Sequence, residues 1–303
     1  MNCMKTKKLL ILIPITAMLL SGCLPPKKGS GSKTSGSGDP TTATTDTGGG
    51  VPSTGTKPTS EPDIPIPEDA KEYYKDIDDN ATGETLLNAL NSLNSAKRKK
   101  TIGYAGFKTM FKYTEIDPKG TTPAGKMYGF YNNALVNADW DNEATWNREH
   151  VWPRSRGGNR IEGDILMTRP TSVKINSERG NMVYGSVNDS YDPGQYVAEY
   201  RGIAARIILY GAIAEKTLHI DEETGSSTNS MGILSELLKW NLQYLPGGAD
   251  SDSLALRIEY NRNEVNATNP ELQGNRNPFV DHPEYACRIW GTTDSATRKA
   301  CGL

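Results

Sequence analysis

The sequence of 303 residues has few of the residues and none of the motifs that several large enzyme classes require. It contains three histidines and four cysteines, and no HExxH, GxSxG or CxxC pattern occurs in it. A zincin protease, an α/β-hydrolase and a zinc ribbon are therefore disfavoured. The formal net charge is −2, so the chain as a whole does not attract polyanions. Binding of nucleic acid would need a local basic patch or a bound cation.

The chain also lacks an apolar run long enough to span a bilayer. The longest run, LLILIPITAMLL, has about a dozen residues, fewer than the roughly 20 that a transmembrane helix needs. It follows the basic segment MKTKK and precedes LSGC, which ends at Cys23. This order predicts a secretory signal over residues 1–22. LSGC resembles a bacterial lipobox, which implies cleavage before Cys23 and a lipid on that cysteine. An ordinary signal with a chance cysteine is the alternative.

Residues 24–66 contain no aromatic residue and consist largely of Gly, Ser, Thr and Pro. Such a segment cannot bury enough apolar surface to offset the entropy that ordering would cost. We therefore expect residues 23–66 to be a lipidated cysteine followed by a disordered tether, and residues 67–303 to form the folded domain. The lipid would hold this domain on the outer side of a membrane of a bacterial cell envelope.

Cysteine usage leaves one pair in the folded domain. Cys3 belongs to the signal and Cys23 to the lipid site, so Cys287 and Cys301 remain. An exported chain lies in a compartment where disulfides persist. A disulfide between these two residues is one interpretation, and two free buried thiols are the other.

Hydrophobic periodicity predicts a mostly helical domain of the α+β class with a small β element in its middle. A helix is predicted from Glu68, and a strand at residues 126–131. Further helices are predicted around Leu86, Leu87, Leu90 and Leu93, at residues 196–216 and at residues 231–245.

The stretch WNREHVWPRSRGG places Glu149 beside His150, the first of the three histidines. In a strand, alternation sends these side chains to opposite faces unless a bend or the strand end brings them together. Pro153 ends the strand, and a polar loop, a second strand (DILMTR) and a short helix carrying Asn176 follow. A partly buried histidine bonded to a carbonyl group is the simpler alternative, but it does not require this series of elements.

Three segments resemble the bacterial endonuclease I family of secreted ββα-metal (His-Me finger) nucleases: NREHVWPRS, DILMTRPTSVKINSERGN and LQGNRNPFVDHPEYACRIW. The similarity runs from about residue 70 to the C terminus. It implies a divalent metal and cleavage of DNA, often of RNA too, with little sequence preference. Matching positions imply that Glu149 and Asn176 are metal ligands and that His150 is the general base. The second strand departs from the family's DLHNL-like pattern and reads DILMT (164–168), which leaves the polar support of the base in question.

The chemistry of these side chains agrees with the resemblance. Oxygen ligands from Glu149 and Asn176 favour Mg²⁺, with Mn²⁺ as a substitute, over zinc. An imidazole with an ordinary pKa near ~6.5 can accept a proton from water at neutral pH. The bound metal would relieve charge on the phosphate, and His150 would activate the water.

A basic segment surrounds the Glu-His pair. Residues 148–179 contain seven Arg or Lys residues and four acids. This excess predicts a phosphate clamp, because guanidinium groups bind phosphates without reading sequence; an ordinary solvated loop is the alternative. The candidate catalytic arginines are Arg154, Arg156 and Arg160. The candidate substrate-binding residues are Arg148, Arg169, Lys174 and Arg179.

A surface lipoprotein that binds DNA or another ligand on a decayed nuclease fold is the competing function. The joint presence of Glu149, His150 and Asn176 argues against decay, because no packing role is evident for them. Of the two other histidines, His219 is expected at the surface and His282 in a structural role. The sequence indicates no protein partner, and we expect a monomer.

Overall fold

The computed structural model describes residues 68–224 and 228–303. The predicted signal, the lipid site at Cys23 and the tether lie outside the described residues. No helix in the described part of the chain is long and apolar enough to cross a membrane.

Ten α-helices and eight short strands make up the described part of the chain. The helices are α1 (Glu68–Tyr74), α2 (Gly83–Lys97), α3 (Gly103–Thr114), α4 (Val173–Arg179), α5 (Tyr200–Ala214), α6 (Leu234–Gln243), α7 (Leu254–Thr268), α8 (Pro278–Asp281), α9 (Glu284–Trp290) and α10 (Ser295–Ala300). The strands are β1 (Lys126–Tyr128), β2 (Leu135–Asn137), β3 (Asn147–His150), β4 (Thr168–Thr171), β5 (Val183–Tyr184), β6 (Ser190–Tyr191), β7 (His219–Asp221) and β8 (Ser230–Gly232). They form four two-stranded sheets, of which β1–β2 and β3–β4 are antiparallel. The predicted α+β class is confirmed.

Helix α5 is the centre of the main hydrophobic core. Its residues are buried from Gly202 to Ile213. Most of them are apolar, and the one charged residue, Arg206, is paired with Glu259 at 2.6 Å. A Cβ atom at Gly211 would lie 3.0 Å from the Trp152 ring and 2.9 Å from the Met167 side chain. The small residue therefore lets the segments after β3 and before β4 pack directly on the core. This contact fixes the β3–β4 hairpin to the rest of the domain.

The β3–β4 hairpin is followed directly by α4. In its register Glu149 is opposite Arg169 and His150 is opposite Thr168. The Ser172 hydroxyl accepts a hydrogen bond from the Ile175 backbone N–H, which caps α4. Two antiparallel strands and a helix therefore occur in the order that the sequence predicts.

The second strand differs from the prediction in its position. Ile165–Met167 forms a 3₁₀ turn, and β4 begins only at Thr168. The Asp164 side chain accepts from the Leu166 N–H, and the buried Gln273 amide oxygen accepts from the Ile165 N–H at 2.6 Å. Because these N–H groups are bonded to side chains, the DIL segment does not join the strand ladder.

Other predicted elements are confirmed with shorter bounds. The helix predicted at 196–216 begins at Tyr200, and the one predicted at 231–245 begins at Leu234, since residues 230–232 pair with β7 as a strand. The strand predicted at 126–131 ends at Tyr128. Helices α3 and α7 were not predicted from the sequence. Helix α7 buries several asparagines and an arginine on its inner side, so its hydrophobic pattern is weak.

Near the C terminus Cys287 of α9 and Cys301 are joined by a disulfide, with their Cα atoms 5.7 Å apart. Loop residues before α8 form a buried polar network rather than a surface turn. Gln273 donates to the Asp164 carboxylate at 2.9 Å, and Asn275 donates to the Tyr210 hydroxyl at 2.8 Å. This loop thereby holds the turn that leads into β4.

Candidate active site

Glu149 is buried, with 1% of its surface exposed. Its Oε1 atom accepts a hydrogen bond from the Tyr131 hydroxyl at 2.8 Å and lies 3.5 Å from Nε of Arg179. Burial raises the pKa of the carboxyl group, whereas the Arg179 charge and the Tyr131 hydroxyl lower it. No described residue donates a hydrogen bond to Oε2, so one oxygen of this buried carboxylate is available to a ligand.

Asn176 lies on the same side of the hairpin as Glu149. Its Nδ2 atom donates to Oδ1 of Asn147 at 2.7 Å, and Asn147 shares a strand face with Glu149, two residues further along β3. The hydrogen bond fixes the nitrogen of the Asn176 amide and leaves its Oδ1 without a partner among the described residues. Helix α4 and strand β3 thus present an amide oxygen and a carboxylate oxygen on one face.

This pair of oxygen atoms fits a hard divalent cation. Mg²⁺ is commonly held by one or two carboxylates and keeps several waters, which substrate oxygens can replace. In the part of the chain that the structure describes, no three His, Cys, Asp or Glu side chains are grouped to hold a metal ion. A metal at Glu149 and Asn176 would take one side-chain oxygen from each residue.

His150 lies on the opposite face of β3, as alternation predicts. Its ring is stacked on the Tyr104 ring of α3, with the centroids 4.8 Å apart and the planes 23° apart. The Arg148 guanidinium lies 3.7 Å from the same tyrosine ring, so residues 148 and 150 share this face. The imidazole is 13% exposed, and its Nε2 atom has no hydrogen-bond partner among the described residues. Strand β3 ends at His150.

The surroundings of His150 favour its neutral form. Burial lowers the pKa of the imidazole to about 4, and the positive charges of Arg154, Arg148 and Arg179 act in the same direction. The Glu162 carboxylate is 3.7 Å from Nε2 and would oppose this. That carboxylate is already paired with Arg154 at 2.7 Å, so burial and the arginines prevail.

The structure separates the three candidate catalytic arginines. The side chain of Arg154 is 56% exposed and is held beside His150 by Glu162. Arg156 is committed to backbone oxygens, donating to Asn181 at 2.7 Å and more weakly to Thr224 and Ser230. Arg160 donates to the Asn229 side chain at 2.6 Å. Of the three, Arg154 alone lies beside the imidazole.

The four candidate substrate-binding residues also differ from one another. Lys174 is 82% exposed on α4 and forms a loose pair with Glu178. Arg148 is half-buried, with its guanidinium 3.7 Å from the Tyr104 ring and 5.0 Å from the Trp140 ring. These two side chains remain accessible to a polymer.

Arg169 and Arg179 are corrections to the predicted phosphate clamp, because each is only 1% exposed. Arg169 pairs with the buried Glu115 at 2.8 Å and stacks on Phe130. Arg179 donates to the carbonyl oxygens of His150 at 3.2 Å and Val151 at 2.6 Å. The structure therefore does not support either residue as a phosphate ligand; Arg179 instead fixes the end of β3.

Tyr104, Tyr131 and Glu162 contact the predicted site residues but were not identified from the sequence. Tyr131 has a φ of 77°, a left-handed conformation that is unusual for an aromatic residue. That turn directs its hydroxyl to Glu149, and the Tyr184 hydroxyl lies 2.6 Å from the Tyr131 hydroxyl. Glu162 belonged to the basic segment and could have been noted as the acid in the loop after His150. No sequence signal marks the two tyrosines.

Comparison with known proteins assigns the family. The family model described as Endonuclease I matches residues 82–199, which contain Glu149, His150 and Asn176. An extracellular ribonuclease of Bacillus subtilis (strain 168) is 30% identical over 306 aligned positions, which cover 94% of this chain and 99% of that protein. The chain belongs to the endonuclease I family. The resemblance inferred from the sequence is confirmed, and this member of the endonuclease I family is a nuclease.

A second relative supports the same assignment. An extracellular ribonuclease of Bacillus amyloliquefaciens is 33% identical over 243 residues, which cover 73% of this chain and 79% of that protein. No solved structure matches the chain significantly. The endonuclease I assignment therefore comes from sequence relatives, and the geometry of the hairpin and α4 is independent of it.

Proposed function

We propose that this protein is a metal-dependent endonuclease that hydrolyses phosphodiester bonds of DNA and RNA outside the cytoplasm, on a ββα-metal motif formed by β3, β4 and α4. The arrangement of this hairpin and helix carries the proposal. Asn176 is hydrogen-bonded to Asn147, which shares a face of β3 with Glu149, and His150, whose surroundings favour its neutral form, is the last residue of that strand.

The assigned roles follow from the chemistry of hydrolysis. His150 accepts a proton from water and the water oxygen forms a bond to phosphorus. The bond from phosphorus to the 3′ oxygen breaks, and that oxygen takes up a proton from solvent. This leaves a 5′-phosphate and a 3′-hydroxyl. Glu149 and Asn176 would hold Mg²⁺, or Mn²⁺ in its place, which supplies charge relief on the phosphate and on the leaving oxygen.

Both nucleic acids are expected substrates because the attacking group is water. A 2′-hydroxyl takes no part in this reaction, so DNA and RNA satisfy the same requirement. The two relatives named as extracellular ribonucleases support RNA as a substrate and action outside the cell. The described part of the chain offers phosphate contacts from Arg148, Arg154 and Lys174, none of which distinguishes one base from another.

Purified protein is expected to cut both supercoiled plasmid and RNA at neutral pH in millimolar Mg²⁺, and to lose this activity in excess EDTA. The measurement is gel analysis of both substrates, followed by mapping of 5′-phosphates on the products. As a matched pair, Glu149→Gln should raise the Mg²⁺ concentration needed for half-maximal rate, whereas the exposed Glu271→Gln should not. Intact substrates in Mg²⁺, or equal cleavage in EDTA, would refute the proposed function.

Arg154→Ala should lower kcat by roughly 10²-fold, because removal of a group that stabilises charge in the transition state has effects of that size. Arg154 is exposed beside His150, whereas Arg160 is bound to Asn229. Steady-state kinetics of Arg160→Ala provide the control and should change by only a few fold. Equal losses in the two variants would show that Arg154 has no special role.

We also propose that lipid on Cys23 anchors the enzyme on the outer side of a membrane. The LSGC tetrapeptide supports a lipid site, and the several acyl chains of a mature lipoprotein anchor more stably than one chain does. Fractionation of cells that express the native protein or Cys23→Ser tests this. The native protein should sediment with membranes and the variant should be released. Identical distribution of the two proteins would contradict the anchor.

A further inference from the structure

A basic cavity lies outside the site described above. It has a volume of about 320 Å³, and its lining includes Tyr73, Lys97, Lys99, Thr268, Gly274 and Arg276. These residues come from α1, the end of α2 and the segment after it, the end of α7, and the loop before α8. The volume is at the lower end of the range of small-molecule sites.

Two lysines that line the cavity, Lys97 and Lys99, belong to a segment in which basic residues greatly outnumber acids. Between Glu84 and Glu115 the sequence has six basic residues and no acid, and four of the six are consecutive at positions 97–100. Arg98 is paired with the buried Asp164 at 2.6 Å, and Lys100 lies 3.8 Å from Glu271.

The two remaining members of that run, Lys97 and Lys99, are exposed, and neither has a carboxylate within 4.0 Å among the described residues. Arg276 is neutralised by Asp281 and Glu264. Two lysines therefore give the rim of the cavity its net positive charge.

The same segment is bound to the candidate active site. Arg98 reaches Asp164, and the Gly103 N–H donates to the Gly163 carbonyl at 3.3 Å, just beyond Glu162. One residue later, Tyr104 stacks on His150. Tyr104 is seven positions after Lys97, a path of at most ~25 Å. A strand bound at His150 can therefore reach the cavity within a few nucleotides.

An aromatic wall suits the cavity to a nucleotide. The Tyr73 hydroxyl accepts a hydrogen bond from the Arg276 N–H at 3.2 Å, and its ring packs edge-on against Tyr74 with the centroids 4.8 Å apart. The ring is therefore fixed in place. The ammonium group of Lys97 lies 5.2 Å from its centroid. A fixed aromatic ring beside cations that have no carboxylate partner is a combination that binds single-stranded nucleic acid without sequence preference.

We propose that this cavity is a second binding site for single-stranded nucleic acid, which holds a nucleotide of the substrate strand away from the scissile bond. The ammonium groups of Lys97 and Lys99 bind its phosphates, and the Tyr73 ring contacts its base. This inference rests on the proposed nuclease function. Its consequence is a preference for long single strands over short ones.

Binding to the full chain carrying His150→Ala separates this site from catalysis. The probes are two fluorescent single-stranded oligonucleotides of related sequence, one able to span both sites and one too short to do so, measured by anisotropy over a range of salt concentrations. Lys97→Gln with Lys99→Gln should raise the Kd of the long probe on the order of tenfold and reduce the slope of its salt dependence by about 1.4, since each phosphate contact on a single strand contributes ~0.7. The Kd of the short probe should change by less than about twofold.

Two further variants make the result specific. Lys239→Gln with Lys299→Gln removes the same charge from two lysines that do not line the cavity, and should leave both Kd values unchanged. Tyr73→Leu should weaken binding of the long probe without changing the salt slope. Equal effects on the long and short probes, no effect on either, or equal effects of the two lysine pairs would overturn the second site. Cleavage by the wild-type protein is measured separately, so absence of cleavage would refute the nuclease function whatever the binding data show.

Discussion

Replacement of His150 by alanine should lower kcat by roughly 10²–10⁴-fold, the range typical for loss of a general base. Affinity for nucleic acid should remain nearly unchanged, because the phosphate contacts are proposed to come from Arg148, Arg154 and Lys174, which the substitution does not alter. The physical reason is that the imidazole acts only when the proton leaves the attacking water. Steady-state kinetics on plasmid and RNA, with anisotropy for binding, separate the two quantities.

His219→Ala is the matched control for this variant, since His219 is exposed on β7. It should retain the activity of the native protein. Thermal unfolding of both variants verifies that the domain is folded. Turnover of His150→Ala close to that of the native protein would disprove its role as the base, and a loss confined to affinity would make His150 a binding residue.

Arg169→Ala should lower the free energy of unfolding by about 3 kcal/mol, because a buried carboxylate loses one of its two guanidinium partners. Glu115 is buried and would keep Arg262 as its remaining basic partner. The change should also leave a void beside Phe130, which adds to the cost. Such a loss is large against the 5–15 kcal/mol by which most domains are stable. Denaturant unfolding of the disulfide-intact protein measures it.

The control is Glu271→Ala, which breaks the exposed pair with Lys100. It should cost less than about 1 kcal/mol, as surface ion pairs generally do. An Arg169→Ala protein with native stability and weakened nucleic-acid binding would show that Arg169 is a phosphate ligand, as the sequence first indicated. Replacement of Arg169 by methionine keeps most of the side-chain volume, so it measures the loss of the charge without the loss of packing.

The departure of the second strand from the family pattern has a structural counterpart. The residues of the DILMT segment before Thr168 form a turn, and Thr168 is the residue opposite His150. The groups that flank the imidazole come from elsewhere. Tyr104 stacks on it from α3, and Glu162 lies 3.7 Å from its Nε2 atom. The surroundings of the histidine are therefore built by the loop and by α3 rather than by the second strand.

Short-range features of this protein were determined by the sequence itself. The adjacency of Glu149 and His150, their alternation across a strand, and the position of Asn176 on a helix all depend on residues close along the chain. The helices at 200–214 and 234–243 were predictable for the same reason, because hydrophobic periodicity is a local property. The order of two strands and a helix followed from the turn and stop signals between them.

Only the tertiary structure decided which charged side chains are exposed beside the candidate site and which are buried. Arg154 and Arg169 look alike in the sequence, yet one is exposed beside His150 and the other is buried against Glu115, 54 residues away along the chain. The hydroxyl that binds Glu149 likewise comes from Tyr131, through a backbone turn that no pattern indicates. A guanidinium group is stable in either environment, in water or against a buried carboxylate. Packing of distant segments, which local periodicity does not record, therefore determines its role.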